Sequence, residues 1–234
     1  EQYPDCALDV TGGSDAALFA AGMFTAQTGV PAFTYSRKKN RFYDIFDASF
    51  ADNVPCHLSY SVEDFFLMAG GALLPGRVDN AILERYLGDI DPFFSCFMRF
   101  RREWANIITY IQRVSPTEYG QSPSLSIHGS YTVKGEHGGK ISANEDALQE
   151  FERIGFIHAL SIIPGKSVSF RFRDRNTRVW LRDVGSVLEL YVYKACLETN
   201  IFGDVISSAV VRWDDVLGHG SVTNEIDVIA TRGV

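Results

Sequence analysis

Thr223-Asn-Glu-Ile-Asp-Val-Ile-Ala230 reads as a β-strand, and its two acids decide how the rest of the chain is understood. Strand side chains alternate between faces, so Glu225, Asp227 and Ile229 are expected on one face and Ile226, Val228 and Ala230 on the other. Aspartate is disfavoured inside strands, and an unpaired buried charge is costly. An Asp flanked by Ile226, Val228 and Ile229, as in a central strand, marks either a solvated edge or a cation site. The conflict between propensity and burial favours the second for Asp227. Glu225, nearer the strand start, is open to both readings. Upstream, Glu189 lies in the largely apolar helical stretch Val184 to Glu198. It points either to solvent between Gly185 and Tyr193 or towards the same acid face.

Working outward, Asp204–Trp213 is a further strand, and Asp215–Gly220 is the turn between the two. Ser126–Val133 is strand-like and is followed by a loop with Gly135, Gly138 and Gly139. A helix from Asn144 to Ile154 then leads into strands Ile157–Ile163 and Ser167–Arg173, joined at Pro164-Gly165. A helix followed by a β-ribbon is a winged-helix-like arrangement. Ser61 to Asp64 resembles a capping box, while Asp79–Leu87 and the aromatic Phe93–Val114 read as helices. At the start, the strand Cys6–Val10, the turn Thr11-Gly12-Gly13-Ser14 and the helix Asp15–Gln27 form a strand–turn–helix unit of an open α/β sheet. Ala32–Ser36 and Arg41–Phe46 make a hairpin.

Four segments follow: 1–60, a Rossmann-like unit; 61–115, a helical linker; 116–182, winged-helix-like; and 183–234, the acid-bearing α/β segment. The chain starts without a methionine and ends on a strand, and we expect it to be part of a longer protein.

Composition bounds the function. The chain has 234 residues, 46% of them apolar, which is enough to bury more than one small core. A net charge of −7 argues against non-specific coating of nucleic acid. Three basic runs (Arg37, Lys38, Lys39, Arg41; Arg99, Arg101, Arg102; Arg171, Arg173, Arg175, Arg178, Arg182) read as solvated surface, with phosphate contact as the alternative. Cys6, Cys56, Cys96 and Cys196 have no C-x-x-C spacing, which fits a reducing cytoplasm. No apolar run approaches the ~18 residues of a membrane span, and no signal peptide is recognisable.

The Thr11–Ser14 turn offers backbone N–H groups and two hydroxyls at a helix N-terminus, which suits an anionic or nucleotide ligand. The alternative is an ordinary capped turn with Ser14 or Asp15 as N-cap. It is neither a Walker A loop, lacking that spacing and its Lys, nor a G-x-S-x-G elbow. His57, His128, His137, His158 and His219 show no metal spacing and read as structural, with His219 in the loop before the acidic strand.

Leu8-Asp-Val-Thr-Gly-Gly-Ser14, Gly185-Ser-Val-Leu-Glu-Leu-Tyr191 and Asn224-Glu-Ile-Asp-Val228, in this order, resemble the CRISPR ancillary nucleases activated by cyclic oligoadenylate. Those proteins join a CRISPR-associated Rossmann-fold (CARF) sensor to a restriction-endonuclease-like PD-(D/E)XK domain. The resemblance implies an α/β protein: a Rossmann-like sensor remnant, a helical and winged-helix-like middle, and a partial restriction-endonuclease-like α/β domain. It implies a homodimer that binds cyclic tetraadenylate through Thr11, Gly12, Gly13 and Ser14. The nuclease domains of such a dimer cut DNA or RNA in antiviral defence with Mn2+ or Mg2+. By carry-over Asp227 is a metal ligand and Glu189 a second acid on the metal; both are catalytic.

Two departures stand out. Asp15 occupies a position where such sensors often carry Lys, so it either caps the helix and points away or signals a changed ligand. The family's Glu-x-Lys strand is not reached by Val234, and the polypeptide as given is expected to be inactive by itself. The rival reading is a ligand-sensing CARF and winged-helix regulator without nuclease activity.

Overall fold

The computed structural model describes residues 6–45, 52–57, 59–74, 80–115, 124–135, 138–213 and 222–232. The chain divides into two compact units, Glu1–Ser61 with Thr231–Val234, and Val62–Ala230.

In the first unit, β1 (Leu8–Asp9), α1 (Asp15–Thr28), β2 (Ala32–Ser36), β3 (Arg41–Ile45) and β4 (Val54–Pro55) follow one another. The sheet order is β1-β2-β3-β4, with β1 parallel to β2 and the remaining pairs antiparallel. The right-handed crossover expected for a βαβ unit accounts for the helix between the two parallel strands. Helix α1 starts at Ser14, whose side chain accepts from the Ala17 N–H, and ends at Gly29, left-handed at φ 72°. Its apolar residues surround it, so Phe19, Met23 and Phe24 remain exposed.

The second unit begins with α2 (Val62–Met68), β5 (Gly71–Leu74), α3 (Asn80–Leu83) with a 3-10 turn at Glu84–Tyr86, α4 (Leu87–Phe100) and α5 (Trp104–Val114). Next come β6 (Ser126–Ser130), β7 (Thr132–Lys134), β8 (Lys140–Ser142), α6 (Glu145–Arg153), β9 (Ile157–Ile163), β10 (Ser167–Phe172) and α7 (Arg175–Trp180). It closes with α8 (Ser186–Glu198), β11 (Asp204–Trp213) and β12 (Val222–Thr231). Its sheets have the orders β6-β10-β9 and β12-β11-β5, beside the hairpin β7-β8. The chain is thus mixed α/β. Among the described residues no helix is long and apolar enough to cross a membrane.

Helices α4, α5, α6 and α8 pack on a core with Phe93, Trp104, Ile108, Phe151, Phe156 and Leu190 at its centre. Trp104 contacts the rings of Phe93, Phe97 and Phe151, and Phe94 stacks on Tyr191 at 3.7 Å.

Several expectations need correction. The expected single helix 93–114 is two, broken at Arg101-Arg102-Glu103, because the turn lets Trp104 and Ile108 face the core that Phe93 already faces. The segment expected to be wholly helical, 61–115, also supplies β5, which pairs antiparallel with β11 from Gly71↔Trp213 to Leu74↔Val210. Four residues are too few to show a period. The basic run near 171–182 is not all solvated surface. Arg178 is buried and donates from Nη2 to the Ser115 carbonyl at 3.1 Å, and Arg173 bridges Asp89 and Asp174. Helix α7, capped by Asp174 Oδ1 on the Thr177 N–H at 2.8 Å, was not expected from this sequence.

Gly129 on β6 lies against α5. A Cβ there would stand 2.7 Å from Val114 Cγ1 and 2.8 Å from Val114 Cβ. Val114 is buried and its branched side chain has little freedom to yield. Gly129→Ala is therefore expected to cost about 1–3 kcal/mol by overpacking. Urea denaturation should show this as a lower midpoint at unchanged slope.

Candidate functional site

Glu189 sits in the first turn of α8, and the sequence before it shapes its surroundings. Asp183 Oδ1 accepts from the Gly185 N–H at 2.9 Å, making an Asx turn into the helix. A Cβ on Gly185 would stand 3.1 Å from Glu189 Oε1 and 3.7 Å from Asp183 Oδ1. The glycine thus lets the Glu189 carboxylate fold back over the helix start. The Trp104 indole donates to the Val184 carbonyl at 3.2 Å and fastens this entry to the core.

Opposite lies β12. Asp227 and Val228 share a cleft of about 350 Å³ with Gly185, Leu188, Glu189 and Val192. Glu225 borders an adjoining hollow that also touches Glu189. The structure therefore brings together Glu189 and Asp227, and adds Glu225 and Asp183. Burial pushes the Glu189 carboxyl above its usual range, and the negative charges of Asp227, Asp183 and Glu225 push it further.

Two details differ from the expected strand. Asp227 and Glu225 are exposed, and β12 stands at the end of the sheet order among the described residues, not at its centre. The alternation also shifts by one residue after Asp227. Ile226 and Ile229 pack with Val62, Phe66 and Val211, while Val228 and Ala230 pack on the main core. The expected face of Glu225, Asp227 and Ile229 therefore holds only for the two acids.

Asp and Glu oxygens are suited to Mg2+ or Mn2+, which take one or two carboxylates and keep several waters. Glu189 and Asp227 have that donor chemistry. Among the described residues, no three His, Cys, Asp or Glu side chains converge as a ready-made metal cage. His57, His128 and His158 are exposed, whereas His137 and His219 lie outside the described residues.

In the first unit the Thr11–Ser14 turn is tightly tied. The Thr11 N–H donates to Asp9 Oδ1 at 2.8 Å, and its hydroxyl accepts from the Tyr35 N–H at 2.7 Å. Ser14 Oγ accepts from the Ala17 N–H at 3.3 Å, the capping role open from the sequence. Gly13 adopts φ 136°, and a Cβ on Gly12 would meet nothing within 4 Å. What the turn presents outward is backbone at a helix N-terminus. Asp15 is the first residue of α1, where a negative charge complements the helix dipole.

Sequence reasoning missed Asp183 and Gly185 as shapers of the Glu189 site. The Asp-Val-Gly order before a helix was the available signal.

Because Glu189 is harder to ionise in the folded protein than unfolded, its charged form disfavours folding at neutral pH. That penalty fades as pH falls through its raised folded-state value. Glu189→Gln is expected to be more stable than the wild type at pH 7, with the difference shrinking on acidification. Thermal unfolding from pH 7 to pH 4 measures it.

No protein-family model matches the chain, and no curated protein matches it. Among solved structures, protein VC1899 from Vibrio cholerae is similar at a TM-score of 0.59 and 13% identity, over 96% of this chain and 54% of that one. Can2 from Sulfobacillus thermosulfidooxidans, solved in complex with cyclic tetra-adenylate, is similar at a TM-score of 0.54 and 14% identity. The match covers 99% of this chain and 53% of that one. The chain spans about half the length of each, and at such identities the likeness is one of fold: a mixed α/β architecture shared over nearly all of these 234 residues.

Proposed function

We propose that this chain belongs to a metal-dependent nuclease of CRISPR defence that is activated by cyclic oligoadenylate. The observation that carries the reading is the approach of Glu189 on α8 to Asp227 on β12, two carboxylates whose mutual repulsion a divalent cation would relieve. Glu189 and Asp227 are the proposed ligands of Mn2+ or Mg2+. The ion supplies Lewis acidity at a phosphodiester and a more acidic bound water. The side chains orient that ion and keep its charge local. The fold shared with Can2, a protein solved with cyclic tetra-adenylate, supports a nucleotide activator at the Thr11–Ser14 turn. The exposed Phe19, Met23 and Phe24 of α1 support a homodimer, since an apolar helix surface of this kind calls for cover. The substrate is DNA or RNA.

The first test is on the complete protein. Asp227→Asn is expected to lower Mn2+-dependent cleavage of labelled single strands by roughly 100-fold or more, because a divalent site contributes several kcal/mol to such a transition state. Calorimetric Mn2+ titration should weaken in parallel. Wild-type cleavage by a folded Asp227→Asn protein would remove the assignment.

The second test is direct titration of cyclic tetraadenylate. Heat of binding is expected at one ring per dimer, and Asp15→Lys should tighten binding or leave it unchanged. A dimer that binds no ring size would end the sensor reading.

A further inference from the structure

We infer that the hollow beside Glu189 is a nucleobase subsite that selects bases bearing an exocyclic amino group next to the cleaved phosphodiester. This rests on the nuclease reading above. The hollow encloses about 290 Å³ and shares Glu189 with the proposed metal cleft, so a strand whose phosphate lies at Asp227 has a neighbouring base within reach of it.

The hollow is a built feature of the fold. Ser207 and Ser208 are adjacent on β11, and regular alternation would send them to opposite faces. Ser208 instead adopts φ 52°, in the left-handed region, and both residues line the same hollow. The kink is braced from outside the sheet. The Ser207 N–H donates to Asn80 Oδ1 at 3.2 Å, below the point where the pairing of β11 with β5 begins at Val210. Strained backbone held in place this way belongs with sites that use it.

The chemistry of the wall indicates the ligand. Ser207 is 3% exposed, Ser208 6% and Ser186 6%. All three border the hollow, and their hydroxyls supply it with donors and acceptors that a bound base can meet. Val179, Trp180 and Leu190 provide an apolar wall, the mixture expected of a small-molecule pocket for a flat ring.

Asp183 and Glu225 give the rim its sign. They repel a second phosphate but accept from amino groups, as carboxylates do from cytosine N4. Thymine and uracil present a carbonyl at that edge, which the same oxygens repel.

The test uses the complete protein carrying Asp227→Asn, so that bound strands survive, with fluorescence anisotropy on oligo-dC and oligo-dT at one fixed salt concentration. Oligo-dC is expected to bind about tenfold tighter. Val179 is 57% exposed at the rim, so Val179→Trp fills the hollow without entering the core, and should bring the ratio near one. Asp183→Asn keeps an acceptor for the Gly185 N–H while replacing an acceptor oxygen with a donor, and should narrow the ratio. In otherwise wild-type protein, Val179→Trp should also level the base preference of mapped cleavage sites. Equal affinities for the two oligonucleotides, or a preference that survives the plug, overturns the subsite and leaves the metal assignment standing. Loss of the metal assignment, shown by undiminished cleavage in Asp227→Asn alone, would leave a plug-sensitive base preference intact.

Discussion

The site depends on one buried side chain far from it in sequence. Trp104 is packed by Phe93, Phe97 and Phe151, and its indole donates to the Val184 carbonyl two residues before α8 begins. A buried aromatic of this kind is worth on the order of 3–5 kcal/mol on truncation. Here that packing also sets where a helix starts. With Val184 fastened, the Asx turn at Asp183 and the first turn of α8 have one position, and the Glu189 carboxylate is delivered to the face that Asp227 approaches. Phe94 stacked on Tyr191, and Lys194 paired with Asp91, hold α8 to α4 one and two turns further along.

The acid face works against this stability. Glu189 is partly buried, and the negative charges of Asp227, Asp183 and Glu225 oppose its ionisation, the reverse of what Arg173 does for Asp89 and Asp174. The contrast within one unit is instructive. Where charge serves the fold, an Arg lies within hydrogen-bond distance and the Asp174 carboxyl is held below its usual range, its hydrogen bonds outweighing burial. Where it serves the proposed chemistry, like charges are gathered and the ionised state is strained. Such local conflict is what the proposed cation would resolve.

The Gly-Gly turn of the first unit follows a different logic. Its hydroxyls are used within the fold, Thr11 on β2 and Ser14 on α1, so the proposed recognition at this turn falls to backbone groups that no substitution of those hydroxyls would directly reverse. An anion meeting a helix N-terminus needs little more than this.

The strand and helix order was largely legible in the sequence, because hydrophobic period, Gly-Gly and Pro-Gly turns and capping residues are local. Asp227 stood out as an acid amid Ile and Val, but the central strand that this contrast implied is not what forms: the residue is exposed on the strand at the end of the described sheet order. Glu189 could be named from the chain, but its orientation depends on Trp104, eighty-odd residues earlier, which fastens the start of α8. Strand β5, the break between α4 and α5, the buried Arg178 and the left-handed Ser208 were not legible. Each is decided by a partner distant in sequence: β11, the aromatic core, the Ser115 carbonyl and Asn80. The sequence by itself determined which residues carry charge and which elements form. Only the tertiary structure decided which carboxylates meet, because long-range packing, which leaves no period in the chain, sets the distance between α8 and β12.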